Sequence, residues 1–439
     1  MEEADLSFCS SFQTRFSYLD SDSEDSAESC IGGEKMKYDF DTIVERRGTH
    51  CIKWDREECV NDPKLLPLYV ADMDFQTAPC IREALMKAAG HGVYGYTMVW
   101  DGYRKAVADW MDRRHDLRIE KEWILTFPGI VPAIKLAVRT FTRPEDQILI
   151  FKPVYYPFDL SIESNGRKVV ECVLDEKDGV YTISFDRLEQ ILKENDIRML
   201  IFCNPHNPIG RVWTKEELKR LGKLCLKYHV FVFSDEIHMD FEYGDHRFVS
   251  MLSAVPELAG QMIVATAPSK TFNLAGLSVS NLIIADHTIY EKLKNEMDQS
   301  GISVPNMFGL TACEAAYTQG EDWLDELLVY IEGNFEFMQD WFASHLPQVK
   351  MRKPEGLYLA WADFRDLFDD PDELENFMLK EAHVWLDEGY IFGTGGEGFE
   401  RFNCACPRSV LKEALERIET AWNDRQKSAQ SVSTEKDRD

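Results

Sequence analysis

Six short, continuous apolar runs alternate along this chain with segments of helical spacing, and this alternation constrains the fold more than any other feature. The runs cover residues 123–127, 148–151, 199–203, 230–233, 262–265 and 282–285. A strand that is apolar at every position is buried on both faces, as happens when helices cover both sides of a parallel sheet. The pattern therefore predicts an α/β protein built on a largely parallel sheet.

Changes in pattern along the chain predict five segments. Within residues 1–35, Asp20 to Ser29 alternate acid and serine and no apolar periodicity appears, so we expect a disordered extension. Residues 36–85 form an N-terminal segment that contributes to a smaller domain, and residues 86–300 form the large domain. Residues 301–423 are mainly helical with isolated strands, which predicts a C-terminal small α+β domain. Residues 424–439 are polar, and we expect a frayed tail.

Charge and composition narrow the class of partner. The chain has 439 residues, with 49 basic and 77 acidic side chains and a formal net charge of -28. Such a surface repels nucleic acid and anionic membranes, so neither is an expected partner. No apolar stretch approaches the roughly 20 residues that cross a bilayer, and we expect no signal peptide. These features predict a cytoplasmic protein that acts on small molecules.

Three polar residues of complementary chemistry follow separate apolar runs. Asn204, Asp235 and Lys270 come shortly after the third, fourth and fifth runs. Ligands of open α/β sheets bind in the crevice at the carboxyl ends of the strands, where these side chains can converge. An amine for a Schiff base, a carboxylate and an amide are what pyridoxal phosphate requires of a protein. The sequence therefore predicts pyridoxal 5'-phosphate as the cofactor.

Each of these residues has a candidate role and a simpler alternative. Lys270, partly desolvated at a strand end, can have a lowered pKa and attack an aldehyde, although most single lysines in loops are surface residues. Asp235 can pair with the pyridine nitrogen, but an aspartate after a strand can also cap a helix. Asn204 opens a loop with two Asn-Pro steps and can donate to the phenolic oxygen of the cofactor.

Further residues can complete such a site. Tyr155 follows the second run and can stack on the cofactor ring, or it can serve in packing only. Ile130 and Val131 follow Gly129 at the start of a predicted helix, whose free amides can bind phosphate; a plain turn is the simpler alternative.

Two other patterns resemble a dinucleotide site and a metal site, but neither supports one. Residues 393–398 fit G-x-G-x-x-G, but an apolar run follows them where a dinucleotide site needs a helix. Asp235, His238 and Asp240 lack a further histidine at ligand spacing, so we predict no metal site.

Six motifs jointly resemble the fold-type I aminotransferase superfamily, and within it the MalY/PatB-type carbon–sulfur β-lyases. The motifs are Ala71-Asp72-Met73-Asp74-Phe75, Tyr94-Gly95-Tyr96-Thr97, Asn204-Pro205-His206-Asn207-Pro208-Ile209-Gly210, Ser234-Asp235-Glu236-Ile237-His238, Ser269-Lys270-Thr271-Phe272-Asn273-Leu274-Ala275-Gly276-Leu277 and Arg401-Phe402-Asn403-Cys404-Ala405-Cys406-Pro407-Arg408. The resemblance spans about residues 36 to 422. It implies a large domain with a mostly parallel seven-stranded sheet between helices, a smaller α+β domain, and a homodimer with shared active sites.

The resemblance also implies roles for individual residues. The cofactor would be bound by Lys270, Asp235, Asn204, Tyr155, His238, Ile130, Val131, Ser269 and Tyr96. Tyr96 would reach across from the neighbouring subunit and take part in catalysis with Lys270. The substrate would contact Arg401, Ala71 and Asn204, and the planar guanidinium of Arg401 suits an α-carboxylate.

Two departures from the aminotransferase pattern bear on the reaction. His238 stands where many aminotransferases have a tyrosine, and Ser278 stands where aspartate aminotransferases have a phosphate-binding arginine. The resemblance thus implies β-elimination on sulfur-containing L-amino acids, such as cystathionine or cysteine S-conjugates, with release of thiol, pyruvate and ammonia. The alternatives are a class I/II aminotransferase and a non-catalytic binding or regulatory protein on the same scaffold.

Overall fold

A computed structural model describes residues 30–31, 34–302 and 305–436 of the chain. The chain divides into two compact units, Met1–Asp39 and Phe40–Asp439. In the first unit, Cys30–Ile31 pairs antiparallel with Glu34–Lys35. The rest of the extension predicted over residues 1–35 lies outside the described residues.

A seven-stranded sheet forms the centre of the second unit. Its strands are β1 Ile124–Phe127, β2 Gln147–Lys152, β3 Lys168–Val173, β4 Ile197–Cys203, β5 Phe231–Asp235, β6 Met262–Thr266 and β7 Ser280–Ile283. Their order across the sheet is β1-β7-β6-β5-β4-β2-β3. Only β7 runs antiparallel to its neighbours, and all other adjacent pairs are parallel. The predicted mostly parallel seven-stranded sheet is confirmed.

Helices surround this sheet and continue to the C-terminal part of the chain. The longer ones are α1 Pro79–Gly90, α2 Asp101–His115, α3 Ile130–Phe141, α4 Pro157–Glu163, α5 Phe185–Glu194, α6 Lys215–Lys227, α7 His287–Gln299, α8 Met307–Gln319, α9 Glu321–His345 and α10 Arg408–Lys436. Short helices are Ile52–Asp55, Glu57–Asn61, Met251–Ala254, Pro268–Thr271 and Pro371–Asn376. The side chains of α3 at Ile130, Ile134 and Val138 are spaced four apart and buried in the core with the sheet.

A second, antiparallel sheet lies later in the chain. Its strands are β8 Lys350–Met351, β9 Leu359–Asp363, β10 Asp387–Glu388 and β11 Phe399–Asn403, in the order β8-β9-β11-β10. In this register Arg401 lies opposite Asp387. Residues 393–398 lead into β11 and not into a helix, as the sequence predicts.

The N-terminal part of this unit is tied to the second sheet. Leu66–Pro67 pairs in parallel with Val384–Trp385. Further along, Asn403 Nδ2 donates to the carbonyls of Val70 and Asp72 at 2.7 and 2.5 Å. The chain around Ala71 is therefore fixed beside β11. The predicted domain boundaries stay predictions, and α10 continues through the segment predicted as a tail to Lys436.

The described residues contain neither a membrane-spanning helix nor a cluster of metal ligands. No helix there is long and apolar enough to cross a membrane. In the same part of the chain, no group of three or more His, Cys, Asp or Glu side chains is arranged to hold a metal ion.

Candidate active site

A cavity of about 540 Å³ opens at the carboxyl ends of the central strands. Its walls include predicted site residues from β5, from the loops after β1, β2 and β6, from β11 and from the segment before α1. These residues are Ala71, Ile130, Val131, Tyr155, Asp235, His238, Ser269, Lys270 and Arg401. The predicted residues Asn204 and Tyr96 do not line it. A second cavity of about 590 Å³, beside β8, contains none of the predicted residues.

Lys270 lies on the short helix that follows β6, and its amine points to a backbone carbonyl. Nζ donates to Ala71 O at 2.6 Å. Burial lowers the pKa of Lys270 to about 8, and the guanidinium of Arg401 acts in the same direction, while nearby carboxylates oppose it. The amine is therefore partly neutral near neutral pH, the form that attacks an aldehyde.

The Ala71 carbonyl is fixed by an ion-pair network on the segment that follows it. Arg46 Nη2 lies 2.7 Å from Asp72 Oδ2, and the fully buried Lys53 Nζ lies 2.6 Å from Asp74 Oδ2. Because both carboxylates are held from the side of residues 46–53, the Ala71 carbonyl is held in position to accept from the lysine. This contact places the Lys270 amine within the cavity.

Asp235 is the last residue of β5 and is buried without a cationic partner. Its Oδ1 accepts from the Ile237 N–H at 3.2 Å. Burial raises the pKa of Asp235 to about 7, although the Ile237 N–H and Lys270 oppose the shift. No arginine or lysine in the described part of the chain lies within ion-pair distance of it. A buried carboxylate of this kind fits a ligand that brings a positive charge, such as a protonated pyridine nitrogen.

The structure places Asn204 outside the cavity lining. Its backbone N–H donates to Asp235 O at 2.9 Å, and its Nδ2 donates to Val249 O at 2.9 Å. Its Oδ1 is buried and has no hydrogen-bond partner in the described residues. The predicted contacts of Asn204 with cofactor and substrate therefore stay predictions. The residue that reaches the cavity is Asn207, whose Oδ1 accepts from Arg401 Nη1 at 2.9 Å.

The Asn-Pro step occurs twice in this loop, and its two asparagines lie differently with respect to the cavity. Asn204 still continues the ladder between β4 and β5, whereas Asn207 lies beyond the strand end. Residues past the strand end, and not those within the ladder, face a crevice at the edge of a sheet. The position of each asparagine relative to the strand end is therefore the signal that could have identified Asn207 as a cavity residue.

Arg401 lies deep in the cavity with three partners. In addition to Asn207, its Nη2 donates to Tyr69 O at 2.9 Å and forms an ion pair with Asp387. Its Nε is buried and has no hydrogen-bond partner in the described residues. Burial raises the pKa of Asp387, with Arg401 and Lys270 opposing the shift. Sequence reasoning missed Asp387, because only the antiparallel register brings it opposite Arg401.

The start of α3 provides donors for an anion. Gly129, at φ 106°, adopts a conformation that side-chain-bearing residues rarely take. A Cβ there would meet only Pro132, at 3.6 Å, so conformation and not crowding calls for glycine. The first amides of a helix have no intrahelical acceptor, and those of Ile130 and Val131 line the cavity. They suit a phosphate group, with Ser269 on the same wall.

An aromatic side chain and an imidazole complete the walls. Burial raises the pKa of Tyr155 to about 12, so its phenol is neutral, and its backbone N–H donates to Asn207 O at 3.1 Å. His238 is buried with Nδ1 unpaired in the described structure. Burial lowers the pKa of His238 well below its usual value, and Lys270 and Arg401 add to that effect. The imidazole is therefore neutral.

Tyr96 lies outside this cavity, in a segment whose side chains are mostly exposed. Its side chain is 112% exposed relative to the reference, and Val93, Tyr94 and Met98 are also exposed. The predicted role of Tyr96 requires a neighbouring subunit and stays a prediction.

Comparisons with known proteins agree with this geometry. The family "Aminotransferase class I and II" matches residues 63–418. Cystathionine beta-lyase PatB of Bacillus subtilis (strain 168) is 42% identical over 383 residues, covering 87% of this chain and 99% of that protein. Protein MalY of Escherichia coli (strain K12) is 33% identical over 382 residues, covering 86% and 97%.

Solved structures show the same similarity. Cystalysin from Treponema denticola, which contains a pyridoxal 5'-phosphate cofactor, has 42% identity and a TM-score of 0.85, covering 89% of this chain and 100% of that one. A PLP-bound putative aminotransferase from Clostridium difficile 630 has 41% identity and a TM-score of 0.85, covering 88% and 99%. With its fold, its cavity and these relatives, the chain belongs to the class I and II aminotransferase family.

Proposed function

We propose that the protein is a pyridoxal phosphate-dependent carbon–sulfur β-lyase that releases thiol, pyruvate and ammonia from sulfur-containing L-amino acids. The observation that carries the proposal is the convergence of Lys270, Asp235 and Arg401 in one cavity. Relatives named cystathionine β-lyase, at 42% and 31% identity, support this reaction class.

The chain's residues divide the work of such an elimination. Bound pyridoxal phosphate supplies a protonated ring that accepts negative charge from the substrate's α-carbon. Asp235 maintains the positive charge at the ring nitrogen, and Arg401 binds the α-carboxylate. Lys270, held near Ala71 O, takes the α-proton as a general base. Because Arg401 is also bonded to Asn207, the loop after β4 orients the guanidinium that would bind the carboxylate.

An aminotransferase would use the same cavity, so the two reactions must be separated by experiment. Purified protein loaded with cofactor should produce pyruvate and thiol from L-cystathionine without a keto acid. Strict dependence of turnover on an added keto acid would instead establish the aminotransferase. Lys270→Ala is the control for background release, and a cellular role unaffected by that substitution would favour a non-catalytic binding protein.

The proposal includes a cytoplasmic homodimer with Tyr96 donated across the subunit boundary. Exposed apolar side chains around Tyr96 support a buried partner surface there. The described cysteines are all free thiols, which is consistent with a reducing compartment. Mixing Tyr96→Phe with Lys270→Ala subunits tests the arrangement, because only a shared site regenerates one intact centre in a mixed dimer.

A further inference from the structure

A second arginine lines the same cavity, near its opening. Arg56 joins the lining together with Ile52, Tyr69 and Tyr156. None of the roles assigned above uses its positive charge. The lining therefore contains a cation in addition to those that would bind the cofactor and the α-carboxylate.

Aromatic rings hold Arg56 in place. Its guanidinium carbon lies 5.1 Å from the ring centroid of Trp385 and 6.0 Å from that of Tyr69. These two rings stack on each other with centroids 4.1 Å apart. A guanidinium over aromatic faces is oriented without losing its hydrogen-bond donors. The wall thus presents Arg56 to the cavity in a restricted position.

The charge of Arg56 is only partly neutralised. Within the described residues its one ion-pair partner is Glu58, at 3.3 Å, and the two side chains are 49% and 50% exposed. Such an exposed pair is weak and is easily exchanged for another carboxylate. Arg401, by comparison, is 4% exposed and has three partners. Arg56 is therefore the more available of the two guanidinium groups.

Tyr69 connects the two arginines. Its backbone carbonyl accepts from Arg401 Nη2 at 2.9 Å, and its ring lies next to Arg56. The two guanidinium groups thus lie on either side of one residue, Arg401 deep in the cavity and Arg56 toward the opening. An amino acid has one α-carboxylate, which Arg401 binds, so a second anionic group on the substrate would meet Arg56.

We propose that Arg56 forms a distal subsite for a carboxylate carried on the leaving thiol. The inference rests on the proposed function and specifies its substrates as S-substituted L-cysteines with an acidic substituent. Because Arg56 is half exposed, its contribution is modest, a factor of roughly three to ten in KM. Chemistry at the α-carbon, and hence kcat, does not depend on it.

The test compares two substrates of similar length that differ in the distal charge. S-(2-carboxyethyl)-L-cysteine carries the carboxylate, and S-propyl-L-cysteine does not. Arg56→Gln should raise KM for the first roughly three- to tenfold and change KM for the second less than about twofold. Arg56→Lys should recover part of the loss. Glu58→Gln, which removes the competing carboxylate, should lower KM for the acidic substrate.

The cofactor spectrum and the melting temperature of each variant show that the site is intact. An equal rise of KM for both substrates, or no rise for either, overturns the distal subsite. If the unchanged protein releases no pyruvate from either compound, the proposed lyase reaction fails. In that case the dissociation constants of the two compounds from the cofactor-loaded protein replace KM. A rise for the acidic compound alone in Arg56→Gln supports the distal subsite, and any other result overturns it.

Discussion

Oδ1 of Asn207 accepts a hydrogen bond of 2.9 Å from Nη1 of Arg401. The bond joins a loop after β4 to a strand of the second sheet. It uses only the acceptor of the amide, and no hydrogen bond in the described structure uses Nδ2 of Asn207. The donor is thus available to the cofactor's phenolic oxygen, while the acceptor orients the guanidinium.

Replacement of the two asparagines should have different effects. Asn207→Ala should reduce kcat/KM on the order of tenfold to a hundredfold. The substitution removes both the acceptor for the Arg401 guanidinium and the donor for the cofactor's phenolic oxygen. Asn204→Ala should mainly lower stability, by roughly 1–3 kcal/mol, since a buried contact with Val249 is lost. Kinetics and thermal unfolding of both variants check this, and equal catalytic losses would contradict it.

The rate at which cofactor-free protein takes up pyridoxal phosphate should depend on the proton of Lys270. Burial lowers the pKa of this amine to about 8, so it is mostly charged at pH 7 and mostly neutral at pH 9. The uptake rate should rise by roughly tenfold per pH unit below pH 8 and level off above it. Absorbance kinetics against pH measure this, with N-acetyl-lysine amide, whose rate keeps rising toward about pH 10, as the control.

Asp235→Asn should separate stability from activity. In the cofactor-free protein the pKa of Asp235 is raised from 3.8 to about 7. Between these two pH values the folded carboxyl retains its proton while the unfolded one has lost it. Stability contributed by the protonated form is full below the unfolded value and falls as the pH rises toward 7. Above pH 7 the Asp235→Asn variant without cofactor should therefore be more stable than the unchanged protein by roughly 1–3 kcal/mol. The same substitution should abolish most turnover.

Glu236→Gln is the matched control for this substitution. Burial raises the pKa of Glu236 to about 7 as well, but this residue bonds to Ser234 and the Met251 N–H and does not line the cavity. The control should show the same pH-dependent gain in stability with activity retained. Equal loss of turnover in both variants would remove the special role of Asp235.

Asp387→Asn should free Arg401 for the substrate. With its ion pair removed, Arg401 should bind the α-carboxylate more tightly, and KM should fall by roughly three- to tenfold. Since the Asp387 carboxylate also raises the pKa of Lys270, the uptake profile should move to lower pH. The same variant should melt at a lower temperature without substrate, because a buried cation is left unpaired. Steady-state kinetics, uptake rates and unfolding curves are the measurements.

The strands that the sequence predicts are those buried on both faces. β3, Lys168–Val173, has no continuous apolar run, because it lies at one edge of the sheet and most of its side chains are partly exposed. β10 is too short to leave a signal of its own. Continuous apolar runs thus locate fully buried strands, including β1 at the other edge of the sheet, but they miss an edge strand that is partly exposed.

A residue's place in the cavity was predictable where its own neighbours in sequence locate it at the end of a strand. Asp235 ends the buried strand β5 and Lys270 lies on the short helix after the buried strand β6, so their convergence follows from the direction of the chain. Asp387 and Arg56 reach the cavity only through the register of β10 with β11 and through the packing of Trp385 on Tyr69. No local pattern carries that information, because it depends on which distant segments pair.

The carbonyl that accepts from the Lys270 amine belongs to a residue 199 positions earlier in the chain, and the Ala71 segment is in turn held by Asn403 of β11. A growing polypeptide can complete its central sheet while the ribosome still covers those last strands. Such a nascent protein has Lys270 and the ion pairs at Asp72 and Asp74, but it lacks the Asn403 contacts to the Ala71 segment and it lacks Arg401. Chains cut short before β11 therefore lack the guanidinium that we propose binds the substrate's α-carboxylate.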